Sequence, residues 1–148
     1  MPGFAPDTSC MIAAVCSWHE DHDVSHHEIE RRLRQGEPML VPGPALIEAY
    51  AVLTRLPPPH RLAPADALAL LESSFVELGR IVVLEPDGYV ALIHDAPAAG
   101  IAGGRTYDAV IAACAIKAKA STILTLNEGH FSPFARPGLE IVAPKHRR

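Results

Sequence analysis

Short apolar runs alternate with longer amphipathic segments along this chain, and this alternation limits the folds it can adopt. The strand-like runs cover residues 4–5, 39–41, 81–84, 122–126 and 139–142. Helices are predicted at about 10–18, 25–34, 44–56, 64–78, 87–96 and 106–119. Strands joined by helices pair in parallel and are covered on both faces. We therefore expect an α/β fold of three layers, α/β/α, with a central, mostly parallel sheet of about five strands.

Length and composition are those of a compact globular protein. The chain has 148 residues, of which 49% are apolar and 20% charged, so we expect a single domain over residues 1–148. No apolar run approaches the ~20 residues that span a bilayer, and the first residues do not resemble a signal peptide. These features predict a cytoplasmic protein without membrane contact. Cys10, Cys16 and Cys114 lie in apolar helical contexts and are predicted to be reduced core residues.

Three carboxylates and an amide lie at the edges of apolar segments. Asp7 and Asn127 follow strand-like runs, Glu48 lies in the first turns of a helix entered from a strand, and Asp108 lies in the first turn of another. Ligands of open α/β sheets bind beyond the carboxyl ends of the strands, so the four residues can converge on one rim. Such a pocket suits a hard cation such as Mg²⁺ or Mn²⁺, and the set indicates a metal-dependent phosphodiesterase.

Each of these residues also has a purely structural interpretation. Asp7 could cap the helix that follows it, a role worth ~1 kcal/mol. Asp108 and Glu48 could complement helix dipoles for ~0.3–1 kcal/mol each. Asn127 could be a turn residue before Gly129. Only the placement of the whole set at successive strand exits favours the functional interpretation.

Four motifs, in this order, closely resemble those of the PIN domain, and most of all the VapC toxins of bacterial toxin–antitoxin pairs. They are Pro6-Asp7-Thr8-Ser9, Leu46-Ile47-Glu48-Ala49-Tyr50, Thr106-Tyr107-Asp108-Ala109 and Leu124-Thr125-Leu126-Asn127-Glu128-Gly129-His130-Phe131. The resemblance covers essentially the whole chain. It implies a PIN-like fold and an endoribonuclease that uses Mg²⁺ or Mn²⁺ to activate water for attack on an RNA phosphodiester.

The resemblance also implies roles for individual residues. Asp7 and Asp108 would bind the metal, and Glu48 would bind it or orient a water on it. Asn127, or His130 in another alignment, fills a position that is acidic in the broader family. Asn127 would contact the metal through water, and Ser9 or Thr125 would hydrogen-bond the metal ligands. Arg105 would contact a phosphate. His130 would contact substrate or metal-held water, or would pack against Phe131.

The charge of the chain does not identify its partner. The net charge of −4 argues against a nucleic acid, but an acidic metal site lowers formal charge where bound cations restore it. Basic residues remain for phosphate contacts. They are Arg31, Arg32, Arg34, Arg55, Arg61, Arg105, Lys117, Lys119 and the tail Lys145-His146-Arg147-Arg148.

Histidines concentrated in one short span offer a competing metal site. His19, His22, His26 and His27 could suggest zinc, but their spacing is not H-E-x-x-H. An exposed helix junction is the simpler interpretation.

The family resemblance implies partners as well. The expected partners are a VapB-like antitoxin, lying in a groove formed by helices 10–18, 25–34 and 44–56, and a second copy of the chain, paired through surplus aliphatic surface on helix 65–78. A homodimer or a toxin–antitoxin hetero-oligomer is therefore expected. Two alternatives stay open, a PIN nuclease of RNA processing or DNA repair and a non-catalytic binding module with the same fold.

Overall fold

A computed structural model describes residues 1–145, so the last three residues of the predicted basic tail, His146, Arg147 and Arg148, lie outside the described residues. The strands are β1 (Phe4–Pro6), β2 (Leu40–Pro42), β3 (Arg80–Val82), β4 (Thr122–Leu124) and β5 (Glu140–Val142). The helices are α1 (Thr8–Val15), α2 (His22–Arg34), α3 (Gly43–Arg55), α4 (Pro64–Leu71), α5 (Pro86–Ala99), α6 (Arg105–Lys117) and α7 (Glu128–Phe131). A π-helical turn, Glu72–Val76, follows α4, and a 3₁₀ turn, Ser132–Phe134, follows α7.

All five strands are parallel to their neighbours, which confirms the predicted α/β fold. They form a three-stranded ladder in the order β1-β4-β5 and a two-stranded ladder, β2-β3, rather than one continuous sheet. A bridge between Phe4 and Met39 joins the two ladders, and the Phe4 amide donates to the Pro38 carbonyl at 2.9 Å. The carboxyl ends of β1 and β4 are adjacent, since Pro6 pairs with Leu124.

The core lies where the helices cover these ladders. Every residue of β1, β2 and β4 is buried, together with large side chains such as Phe4, Met11, Phe75 and Phe131. Cys10, Cys16 and Cys114 are buried free thiols, as predicted. Among residues 1–145 we find no helix that is both long enough and apolar enough to cross a membrane.

The first two helices have different ends from those predicted. Helix α1 ends at Val15 rather than near Trp18, and α2 begins at His22 rather than near Ser25. Between them, the His19 amide donates to the Cys16 carbonyl and the His22 amide to the His19 carbonyl, each at 3.0 Å. The His19 ring also accepts from the Asp21 amide at 3.0 Å. These local hydrogen bonds compete with the helical ladder and hold the chain in a tight turn.

The continuous apolar run 81–84 is typical of a buried strand, but in the structure only Val82 of this run is buried. Strand β3 pairs only with β2 and forms an edge, where Ile81 is 46% exposed and Val83 beyond it is 50% exposed. Apolar periodicity cannot separate a central strand from an uncovered edge, because coverage depends on elements far away in sequence.

Helical periodicity predicts one buried face on each of two helices, and each prediction is only partly correct. The first face comprises Leu68, Leu71, Phe75 and Leu78, and the second comprises Tyr107, Val110, Ile111 and Cys114. Leu71 and Phe75 are buried, but Leu68 and Leu78 are more than half exposed, because α4 buries its Ala67 and Leu71 side and then changes to a π-helical turn. On α6, Ile111 and Cys114 are buried as predicted, whereas Tyr107 is 54% exposed.

Candidate active site

Asp7 occupies the end of β1 and is only 3% exposed. Its Oδ1 accepts from the Ser9 hydroxyl at 2.7 Å and from the Cys10 amide at 2.9 Å, so it caps α1. Its Oδ2 accepts from the Thr125 hydroxyl at 2.6 Å. The capping interpretation and the functional one are thus compatible, because one carboxylate performs the cap with only part of its acceptor capacity.

The two hydroxyls on Asp7 connect it to the segment after β4. Ser9 Oγ accepts from the Leu126 amide at 3.0 Å, and Thr125 Oγ1 accepts from the Asn127 amide at 2.9 Å. Each hydroxyl therefore receives a backbone proton and gives its own to the carboxylate. This network sets the orientation of Asp7 from both adjacent strands.

Burial raises the pKa of Asp7 from an ordinary 3.8 to about 6. The hydrogen bonds from Ser9, Thr125 and Cys10 oppose this shift, and the negative charge of Asp108 adds to it. The increase is typical of a carboxylate in a site that lacks its counter-charge.

Glu48 reaches the same region from α3. Its Oε1 accepts from the Thr8 hydroxyl at 2.5 Å, which ties the first turn of α1 to α3. Thr8 has no role predicted from the sequence beyond its place in a motif. Its position directly after Asp7 suggests that it lies near the site, but its partner Glu48 is forty residues away in the chain.

Asp108 lies in the first turn of α6 and is 20% exposed at its side chain. Its Oδ2 is 3.4 Å from Nδ1 of His130, which is 50% exposed on α7. Desolvation raises the pKa of Asp108, the nearby Glu48 raises it further, and His130 and Arg105 lower it. The charge of Asp108 thus raises the pKa of Asp7, and the charge of Glu48 raises that of Asp108, so the three carboxylates form an electrostatically connected group.

These side chains line one cavity of about 490 Å³, which we call the carboxylate cavity. Seven of the eight residues predicted from the sequence line it, and the eighth, Thr125, lies buried beneath Asp7. The lining consists of Asp7, Thr8, Ser9, Ile12, His19, Glu48, Val52, Gly104, Arg105, Asp108, Ile111, Asn127 and His130. Asn127 is exposed at the rim, and His19 was not predicted to be there.

The donor set suits a hard cation that keeps part of its water. Among residues 1–145, no three His, Cys, Asp or Glu side chains are grouped closely enough to hold an ion by themselves. Mg²⁺ normally binds proteins through one or two carboxylates, with water and substrate phosphate completing its octahedron. Carboxylates on one cavity wall, two of them with raised pKa values, therefore fit such an ion.

The structure also bears on the other predicted binding features. The histidine-rich span forms no three-ligand group within the described part of the chain. The arginines of α2 are engaged in ion pairs, Arg31 and Arg32 with Glu28, Arg32 with Glu37, and Arg34 with Glu30.

An open apolar groove differs from both predicted partner surfaces. The apolar side of α1 is buried in the core, so the predicted groove on helices 10–18, 25–34 and 44–56 is largely filled. The open groove has a volume of about 780 Å³ and shares Glu48 with the carboxylate cavity. Its lining is Gly43, Pro44, Leu46, Ile47, Glu48, Ala51, Arg55, Ile81, Val83, Tyr89, Leu92, Ile93, Thr106, Tyr107 and Val110.

Comparison with known proteins gives consistent matches. The PIN domain family model matches residues 4–136. Ribonuclease VapC40 of Mycobacterium tuberculosis is 34% identical over 137 residues, which are 93% of this chain and 96% of that protein. Among solved structures, VapC20 of M. tuberculosis, described as a sarcin–ricin-loop-cleaving toxin, has a similar fold at a TM-score of 0.67 and 15% identity, covering 88% of this chain and 95% of its own.

A similar fold occurs in a second solved structure. VapBC2 of Rickettsia felis, solved with a DNA fragment from its promoter, matches at a TM-score of 0.65 and 19% identity, covering 95% of this chain and 97% of the matched chain.

Proposed function

Since the chain belongs to the PIN domain family, we propose that it is a Mg²⁺- or Mn²⁺-dependent endoribonuclease, acting as the toxin of a VapBC-type pair. The observation that carries the proposal is the carboxylate cavity, where Asp7, Glu48 and Asp108 converge from three different elements. Structural roles alone leave this convergence unexplained, since a cap or a dipole partner has no need of two other carboxylates nearby. We propose that residues 1–148 form a single catalytic domain.

The residues that line or support the carboxylate cavity have different roles in the proposed phosphodiester hydrolysis. Asp7 and Asp108 would supply oxygens to hold the cation, and Glu48, which accepts a hydrogen bond from Thr8, would hold the ion or orient water on it. With the ion bound, the site gains charge neutralisation at the scissile phosphate and a water of lowered pKa. Ser9 and Thr125 keep Asp7 in position through their hydrogen bonds.

The cavity also offers groups for the substrate. Arg105 is exposed at the start of α6 and lines the cavity, where its guanidinium can contact a phosphate. Asn127 and His130 line the same rim and can donate to phosphate or to water held near the ion. The relative VapC40 is named a ribonuclease, which supports RNA over DNA as the substrate.

The proposal is tested by RNA cleavage in Mg²⁺, in Mn²⁺ and in excess chelator. We expect cleavage only with metal, and a loss of at least ~100-fold in Asp108→Asn, because general acid–base and electrostatic groups each contribute factors of that order. Asp66→Asn is the matched control, since Asp66 is an exposed aspartate in the first turn of α4. Equal losses of cleavage activity in the two variants would show that Asp108 only complements the helix dipole.

Two results would favour the remaining alternatives. Cleavage of DNA in preference to RNA indicates a repair nuclease. Absence of cleavage, together with no Mn²⁺ anomalous density among Asp7, Glu48 and Asp108 in a soaked crystal, indicates a non-catalytic module.

The proposed partner is a cognate antitoxin of VapB type, acting in the cytoplasm. The solved VapBC2 assembly of similar fold supports this assignment. An antitoxin basic side chain entering the carboxylate cavity would supply its missing positive charge. A short gene beside the coding sequence, whose product co-purifies with the toxin and suppresses cleavage, is the expected finding.

We propose self-association through the apolar groove rather than through helix 65–78. Ile47, Val90 and Ile93, in or beside the groove, are 71%, 69% and 62% exposed, whereas Leu68 and Leu78 on the other surface are 52% and 58% exposed. Surfaces of this kind mark protein contacts in soluble proteins.

A further inference from the structure

An exposed pair of stacked aromatic rings lies close to the carboxylate cavity. The Trp18 indole stacks on the His60 imidazole with ring centroids 4.0 Å apart and planes 20° from parallel. Trp18 is nonetheless 46% exposed, so its ring has surface available to another partner. We call this pair the Trp18–His60 stack.

His19 connects the stack to the cavity. Its ring centroid is 5.7 Å from that of Trp18, and the residue itself lines the cavity with Asp7, Glu48 and Asp108. Because Nδ1 of His19 accepts from the Asp21 amide, the neutral ring carries its proton on Nε2 and can donate from that atom. The exposed indole is therefore one side chain away from the cavity wall.

The segment that carries Trp18 is held firmly. His19 and His22 close two successive turns through their backbone amides, and Nδ1 of His22 lies 2.9 Å from the Ala13 carbonyl. A carbonyl oxygen only accepts, so His22 donates from Nδ1. On the other side of the stack, the His60 amide donates to the Pro57 carbonyl at 3.0 Å. A stack held in this way loses little side-chain entropy when a further flat group binds.

We propose that the Trp18–His60 stack is a platform for an unpaired base of the RNA substrate, next to the nucleotide whose phosphate enters the carboxylate cavity. The inference rests on the proposed nuclease function and specifies its substrate as single-stranded at this position. Single-stranded RNA presents splayed bases that stack on aromatic side chains, whereas bases inside an A-form helix are covered by their neighbours.

Cationic groups for an RNA backbone come from two other segments, because the residues directly after Trp18 include the acidic Glu20, Asp21 and Asp23. Arg61 is exposed directly after His60 and donates from Nε to the Leu56 carbonyl at 2.8 Å. Arg105 lines the cavity itself. A flat aromatic surface with a cation beside His60 in the chain and another at the cavity suits a base whose flanking phosphates are negatively charged.

The chain contains a single tryptophan, so its intrinsic fluorescence reports on the platform directly. The test titrates the wild-type protein in chelator, which prevents cleavage, with oligoadenylate, oligouridylate and an abasic oligonucleotide of equal length and charge. We expect both base-containing RNAs to quench Trp18 emission and the abasic one to leave it unchanged.

Variants separate base stacking from a structural role. In Trp18→Ala, RNA affinity measured by anisotropy should fall by ~5- to 150-fold, which is the cost of removing one stacking side chain, and Trp18→Phe should retain most of it. With a cleavable RNA, the loss should appear in KM rather than kcat. Tyr50→Ala is the matched control, because Tyr50 is 39% exposed and lines neither the carboxylate cavity nor the apolar groove.

The outcomes distinguish this inference from the proposed function. Metal-dependent cleavage with unquenched Trp18 and an unchanged KM in Trp18→Ala overturns the platform and leaves the nuclease intact. Quenching by an antitoxin peptide but not by RNA also overturns it, and assigns the stack to a protein partner. A wild-type protein that cleaves no RNA overturns the nuclease function, and the abasic comparison then decides the platform alone.

Discussion

The carboxylate cavity and the apolar groove share Glu48 in their linings, yet they differ in chemical character. In the cavity, Asp7 and Glu48 are held by side-chain hydroxyls and Asp108 lies beside His130. In the groove, aliphatic side chains such as Ile47 and Ile93 remain exposed to water. Helical neighbours are about 100° apart, so Ile47 lines the groove alone, whereas the adjacent Glu48 lines both the groove and the cavity.

The difference shows what each surface requires before its ligand arrives. A site for a cation must hold charges in position at a cost in stability, because buried carboxylates lose their hydration. A surface for an apolar partner needs only shape and exposure, and its energy is recovered when water is expelled. Charge removal should therefore stabilise the cavity, whereas charge addition should leave the folded protomer almost unaffected at the groove.

The largest expected effect is that of Asp7→Asn on the metal-free protein. A pKa raised from 3.8 to about 6 corresponds to roughly 3 kcal/mol against folding when the carboxyl is ionised in both states. This penalty is absent below about pH 4, develops as pH rises through 6, and is constant above it. Urea denaturation in chelator should thus show Asp7→Asn to be more stable by up to ~3 kcal/mol at pH 8, with a smaller gain at pH 5.

Bound metal should reverse the stability order of the wild type and Asp7→Asn. Millimolar Mg²⁺ or Mn²⁺ is expected to stabilise the wild type and to leave Asp7→Asn unchanged, because binding to the native state alone adds to its stability. A wild type whose melting temperature is insensitive to metal, with an Asp7→Asn variant no more stable at either pH, would contradict the description of the cavity as a strained cation site.

An intermediate effect is expected for Thr125→Val. The substitution removes the hydroxyl that donates to Asp7 and accepts from the Asn127 amide, so it should destabilise the protein by ~1–3 kcal/mol. Thr122→Val is the control, because Thr122 is a buried threonine at the start of β4, paired with Phe4 rather than near Asp7. In the background of Asp7→Asn the loss should shrink, and a double-mutant cycle measures this coupling. Strict additivity would mean that the two side chains do not act together.

The smallest effect on the folded protomer is expected for Ile93→Asp in the apolar groove. The side chain is 62% exposed, so unfolding free energy should change by no more than ~0.5 kcal/mol. Light scattering should nonetheless show that self-association is lost, because a charge in a covered interface is costly. Leu68→Asp is the control on the originally predicted surface. If only Leu68→Asp dissociates the protein, helix 65–78 is the contact face.

Local pattern was sufficient for much of the fold and for part of the site. Strands β1 and β4 were recognisable as apolar runs, and their parallel pairing followed from the helices between strands. Asp7 and Asn127 were found because a parallel sheet places its strand ends along one edge, and both do line the carboxylate cavity. Their roles as metal ligands and catalytic groups stay predictions.

The errors share one cause. Tyr107 and Ile81 carry apolar character that predicts burial, but whether another element covers them depends on packing distant in sequence. Thr8 and His19 were not assigned to the site, because one meets Glu48 forty residues away and the other depends on a turn made by competing hydrogen bonds. Contacts of this range leave no periodic signal in the chain.

The sequence by itself determined which elements form, their order and the residue types at their ends, because propensity, capping and apolar periodicity act over a few residues. Tertiary structure decided which surfaces are covered, which hydroxyl holds which carboxylate, and how strongly burial perturbs Asp7. Those properties depend on desolvation and on distances between elements, and such distances exist only after the chain has packed.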